Sequence, residues 1–235
     1  MEERINEVEI ALREIYDNWM LGIAKENDNQ HSAMFRMGFP DEFIHSCKPL
    51  LMFVGQECRE AAPYKDQIWV RKYQNVQLHK QTIDGFNEQI QSFPFWNFYR
   101  RLAGLGFNVI WNNLDKFHPA NEPRLKKDEA VSINEPYLQG GENLSILQRE
   151  IALLKPDVIL LAIGKEKYTY SLASAFGIEV SKLFEFEPTI ENPIHEISNV
   201  LNLNDCKVFW TYHPQFLQRK KKYFEVLSAI EQSIL

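Results

Sequence analysis

The sequence predicts a three-layer α/β/α fold around a central four-stranded parallel sheet, and three observations lead there. Short apolar runs without polar alternation, the pattern of strands buried on both faces, occur at Pro49–Val54, Phe107–Trp111, Val158–Ile163 and Lys207–Trp210. Segments of helical periodicity lie between them, long enough for right-handed crossovers. Three of the four runs end in polar side chains of distinctive type: Gln56-Glu57, Asn112-Asn113 and His213.

Taken in order, residues 1–24 carry Ile5, Val8, Leu12, Ile15, Trp19 and Ile23 at three- and four-residue steps, with acidic residues in the first turns. That spacing predicts an amphipathic N-terminal helix. The polar stretch 24–32 is a loop, and 39–46 adds a short turn or helix before the first strand. After Glu57 the chain is irregular, with a short strand at Ile68–Val70 and a helix or ordered loop over 78–91. Ser92 is expected to cap the next helix, with Pro94 in its first turn and Phe95, Phe98, Leu102 and Leu105 along one face. Gly104 and Gly106 end it. A polar segment over 114–142 follows the second strand. A further helix is expected from Asn143, burying Leu144, Leu147, Ile151 and Leu154 and breaking at Lys155-Pro156-Asp157. The third strand ends at Gly164, and a helix over Lys165–Phe176 leads into an acidic stretch with Phe184, Phe186 and Pro188. After the fourth strand a C-terminal helix presents Tyr223, Leu227, Ile230 and Ile234. The organisation is one domain over 1–235, a helical extension at 1–24 preceding a core at 49–230.

Of the 235 residues, 45% are hydrophobic, ample for one core, and 25% are charged, an ordinary share. No apolar run approaches bilayer-spanning length and the N-terminus is charged, which leads us to expect a cytoplasmic protein without a membrane partner. Cys47, Cys58 and Cys206 are odd in number and widely spaced, which argues against a disulfide framework, a structural zinc or a four-cysteine cluster. No metal or cofactor is expected. The formal charge of −6 gives no general attraction to nucleic acid, so such a partner needs a local basic face. Lys116, Arg124, Lys126 and Lys127 form one candidate and Arg219 to Lys222 another. A solvated surface is the plainer reading of both.

In a parallel sheet the carboxyl ends of the strands share one edge, where ligands gather. A carboxylate, a carboxamide and an imidazole converging there suit recognition of a planar amide-like ring. The carboxamide reads donor and acceptor edges, the imidazole steadies an anionic leaving group, and the carboxylate positions water or a cation-like sugar. Each residue also has a plainer role: Glu57 as an exposed turn residue, Asn112 and Asn113 as strand terminators, His213 as a loop histidine.

Four segments, in order, resemble the uracil-DNA glycosylase superfamily. V-G-Q-E-C at 54–58 is similar to the motif whose best-known form reads G-Q-D-P-Y. V-I-W-N-N-L-D-K-F-H-P at 109–119 resembles T-N-A-V-K-C-R-P of the iron–sulfur branch, with the motif asparagine on Asn113. E-I-A-L-L-K-P-D-V-I-L-L-A-I-G at 150–164 looks like E-L-x-L-I-K-P-K-V-V-V-A-L-G, and T-Y-H-P-Q-F-L-Q-R at 211–219 is similar to T-Y-H-P-S-x-L-L-R. The likeness covers about 49–230.

What the resemblance implies is a base-excision glycosylase acting on DNA, single- or double-stranded, that contains uracil or a related damaged base. The base is flipped into a pocket at the carboxyl edge of a four-stranded parallel sheet. On matching positions Asn113, with its neighbour Asn112, reads the base, His213 supports the leaving oxygen, Glu57 activates water and Gln56 lies on the pocket floor. The stacking aromatic has no matching position, and place in the chain alone suggests Phe93 or Phe95; Gly55 and Gln215 in the motifs, with Arg219 and Lys220 from the basic run, are expected to meet the DNA backbone. The pattern departs at Glu57 (aspartate in the family), Cys58 (proline) and Gln215 (serine), and the four cluster-binding cysteines are missing. A member that binds nucleic acid or a nucleobase without cleavage is the alternative.

Overall fold

The computed structural model describes residues 7, 8, 10–17, 35, 37, 43, 46–57, 93–116 and 144–233, with the side chain of Glu57 outside that description. The elements expected at 68–70 and 78–91 lie outside the described residues, as do Ser92, Cys58, Arg124, Lys126 and Lys127.

Residues 10–17 form helix α1. The remaining elements are β1 (Leu50–Glu57), α2 (Pro94–Gly104), β2 (Asn108–Asp115), α3 (Ile146–Leu154), β3 (Val158–Leu161), α4 (Lys167–Phe176) and α5 (Ser181–Phe184). They are followed by β4 (Ile194–Glu196), β5 (Lys207–Thr211), α6 (Pro214–Arg219) and α7 (Tyr223–Gln232). The sheet has five strands in the order β2-β1-β3-β5-β4, not four. Four of these pair in parallel, and β4 adds an antiparallel edge through Ile194↔Thr211 and Glu196↔Phe209. The expected count was short because β4 is three residues long and has a single aliphatic side chain.

Helices cover both faces. On one side α1, α3, α4 and α5 pack Leu12, Tyr16, Leu147, Ile151, Leu172 and Leu183 against Met52, Val54, Ile110, Ile159 and Trp210. On the other, α2, α6 and α7 pack Phe98, Leu102, Leu217, Val226 and Ile230 against Leu51, Phe53, Val109, Leu160 and Phe209. Strands flanked in this way bury both sets of alternating side chains, which is why their sequences are uninterruptedly apolar.

The helix ends follow local chemistry. Ser145 caps α3 in a reciprocal capping box with Gln148, so the helix begins at Ile146 rather than Asn143. α2 has Phe93 at its cap position and Pro94 opening its first turn, where a missing N–H costs nothing. The chain after His213 forms two helices, with Lys221 in the left-handed region (φ 58°) at the turn between them.

Candidate functional site at the carboxyl edge of the sheet

β1 and β2 run further than their apolar cores. Gln56 and Glu57 lie within β1, and Asn112 and Asn113 lie within β2, paired to Val54 and Gly55. Side chains alternate along a strand, so the two asparagines face opposite ways.

Asn112 shares a face with Ile110 and Leu114 and is wholly buried. Its Nδ2 donates to Glu150 Oε2 (2.8 Å) and its Oδ1 accepts from Lys116 Nζ. Lys116 Nζ also donates to both Glu150 oxygens at 2.8 Å, and Tyr16 Oη donates to Glu150 Oε1 at 2.5 Å. With Lys116 at 1% exposure and Glu150 at 0%, this is an ion pair inside the protein. Lys116 therefore does not contribute to a DNA-facing basic surface. Burial pushes its ammonium pKa below the usual value, opposed by the Glu150 carboxylate. The network joins three elements, α1, β2 and α3. It leaves Asn112 holding structure on the face away from Asn113.

Asn113 is turned to the α2 side. Its Oδ1 accepts from the Trp111 indole N–H at 3.1 Å, and its backbone N–H is held by Asn112 Oδ1 at 2.8 Å. The residue is 1% exposed, and its Nδ2 has no hydrogen-bond partner among the described residues. Gly55 lies directly beneath: a Cβ there would come 2.8 Å from Asn113 Oδ1 and 3.1 Å from the Phe95 ring. Only glycine lets the carboxamide and the ring approach the strand so closely.

Phe95 links the two ends of the site. Its ring stacks on Phe53 (4.6 Å between centroids, 26°) and on His213 (5.8 Å, 22°). Its helix is anchored by Tyr223, whose hydroxyl lies 3.1 Å from Asn97 Oδ1 and 3.3 Å from the Pro94 carbonyl oxygen. At 5.8 Å the Phe95 and His213 rings form a direct pair; a base between two rings would need them about 7 Å apart. Phe93, by contrast, is 59% exposed at the helix cap.

His213 follows β5 and caps α6. Its Nδ1 accepts from the Gln215 backbone N–H at 3.2 Å, which puts the proton of the neutral ring on Nε2. Gln215 and Arg219 on α6 and Lys220 at its end are exposed, Lys220 lying over the Phe216 ring at 5.7 Å. Lys222 is engaged with Glu225 at 2.7 Å.

Gln56 closes the edge between β1 and β3, its Nε2 donating to the Ile163 carbonyl at 2.7 Å. The strand after β1 is β2 on one side, and the strand after β3 is β4 on the other. The gap between the carboxyl ends of β1 and β3 is thus the switch point where open α/β sheets bind ligands. Gly164 turns there with φ 74°, and Glu166 takes φ 65°, a costly conformation for a residue with a side chain.

The carboxyl edge thus brings together Gly55, Gln56, Phe95, Asn113 and His213, with Asn112 on the opposite face and the Glu57 side chain outside the described residues. Its apolar run marks Trp111 only as a strand residue. The available signal was parity, an indole two positions before an asparagine sharing its face of the strand. Among the described residues no group of three His, Cys, Asp or Glu side chains could hold a metal ion, and no helix is long and apolar enough to cross a membrane.

Fold and edge together define an open, mostly parallel α/β protein with a candidate ligand site at its sheet switch point. No family model matches the chain, and neither does any curated protein sequence.

Proposed function

We propose that the protein is a DNA glycosylase that hydrolyses the N-glycosidic bond of uracil or a related damaged base. The observation that carries this reading is the grouping of Asn113 and His213 around Phe95 at the carboxyl edge, beside the switch point. The motif resemblance picked out the same asparagine and histidine independently of that geometry.

In the reaction the bond between the sugar carbon and the base nitrogen breaks, and its electron pair passes to the base, delocalising onto a carbonyl oxygen of the base. Water bonds to the sugar carbon and loses a proton. His213, whose Nδ1 is taken by the Gln215 N–H, would donate to that oxygen through Nε2, a role worth about 10²–10³ in rate. Asn113 supplies the carboxamide that reads the base edge. Glu57 is the candidate for receiving the water proton or steadying the cation-like sugar. Arg219 and Lys220 are candidates for phosphate contact. Arg219 ends α6 and Lys220 caps it, and at about 1.5 Å per residue they lie about 9–11 Å along the axis from His213, the residue that caps the helix start.

The test is cleavage of a labelled single-stranded uracil oligonucleotide by the full chain, beside Glu57→Gln and His213→Ala. Abasic product from the wild type, with a loss of about 10²-fold or more in each variant, supports the reading. The departures at Glu57, Cys58 and Gln215 favour one second reading, a protein that binds nucleic acid or a nucleobase without cleaving it. Salt-sensitive binding with no abasic product on uracil, xanthine or hypoxanthine substrates would select that instead.

A further inference from the structure

We propose that Trp111 is a positioning residue: its indole N–H locks the Asn113 carboxamide in one orientation, so that the site selects a ring carbonyl over a ring amino group. This rests on the base-reading role of Asn113 proposed above.

The chemistry of the pair leaves one assignment. An indole nitrogen only donates, so the Asn113 atom 3.1 Å from Trp111 Nε1 must be the acceptor, the carboxamide oxygen. The flip that exchanges Oδ1 and Nδ2 would set two donors against each other. Trp111 itself has little freedom to yield. Its rings meet Phe35 at 4.8 Å (63°), Trp96 at 4.8 Å (84°) and Phe95 at 6.0 Å (65°). The Asn113 backbone is fixed from the other side by Asn112 Oδ1.

With the oxygen held between Trp111 and Gly55, Nδ2 is the atom left to address a ligand. It is buried and has no partner among the described residues. An amide N–H in that state is best satisfied by an acceptor, and leaving it unsatisfied is costly. A base offering a carbonyl at that position supplies the acceptor, whereas an exocyclic amino group would place donor against donor. A free-swinging carboxamide could satisfy either. Selectivity therefore originates one residue pair away from the ligand.

The experiment compares affinity of the full-length wild type and Trp111→Phe for otherwise identical single-stranded oligonucleotides carrying one uracil or one cytosine. Binding is measured at a fixed salt concentration with far-UV circular dichroism as a fold check. The wild type is expected to prefer uracil, and Trp111→Phe to lose about tenfold of that preference, the factor one neutral hydrogen bond carries. An unchanged preference in a folded Trp111→Phe overturns the inference while leaving the proposed function standing. A wild type with no preference, and no cleavage, overturns the function and this inference with it. Hydrogen exchange of the five tryptophan indole N–H groups in wild type and Asn113→Leu tests the lock without altering Trp111. One signal is expected to lose protection in the variant, and unchanged protection of all five overturns the inference.

Discussion

At the scale of single residues, the site is shaped by what cannot be added. Gly55→Ala would drive a methyl group to 2.8 Å from Asn113 Oδ1 and 3.1 Å from Phe95. Overpacking of this kind costs about 1–3 kcal/mol, so a lower melting temperature is expected and, on the proposed function, weakened binding of uracil-containing DNA. A second residue-scale prediction concerns Cys206, whose thiol is pushed from 9.0 up to about 11, first by burial and then by Asp205 and Asp157. Alkylation of Cys206, followed by mass spectrometry of its peptide, should be slow at pH 8 and rise with a midpoint near pH 11. Because the folded thiol holds its proton more tightly than the unfolded one, this group's contribution to stability is complete below pH 9.0 and lost as pH climbs through about 11. Much of the site was legible at this scale. Asn113 and His213 follow from one rule, that polar side chains where parallel strands give out share an edge. The distinct duties of Asn112 and Asn113 were not legible, because they depend on which face Lys116 and Glu150 occupy, a contact made across 34 residues of chain.

At the scale of elements, β1, β3 and β5 were plain in the sequence because each has an unbroken apolar core. The carboxyl half of β2 was not, since N-N-L-D looks like a turn until its first asparagine is found paired with Glu150. β4 is too short to show any periodicity. Helix α3 deserves two experiments because it carries Glu150. Ser145→Ala removes half of its capping box and should lower stability by about 1 kcal/mol in urea unfolding. Lys116→Met leaves the Glu150 carboxylate buried without its cation and should cost about 3–5 kcal/mol by the same measurement. Pairing it with Glu150→Leu should recover part of that loss, because no charge is then left stranded.

At the scale of the whole molecule, the N-terminal helix is part of the core. Leu12 and Tyr16 are buried among residues of the sheet, and Tyr16 links Glu150 to the Met37 backbone N–H at 3.2 Å. Removing residues 1–24 should therefore expose the ion pair and lower the melting temperature steeply, an outcome that a detachable extension would not produce. Charge is also distributed rather than uniform, the formal −6 coexisting with exposed Arg219 and Lys220 at the end of α6. If these two contact phosphates, replacing each by alanine should reduce the slope of log affinity against log salt by about 0.7 on single-stranded DNA.

β2 divides the molecule's labour by odd and even numbers. Its odd residues 111 and 113 face the α2 side at the candidate site, while even residues 110, 112 and 114 face the interior beneath α1 and α3. Losing one residue near its start would exchange the two sets, sending the Asn113 carboxamide into the ion pair and the Leu114 side chain to the candidate site. Losing two would restore the faces and change only the reach. The strand thus behaves as a binary code, in which point substitutions are graded injuries and a single-residue deletion is an inversion.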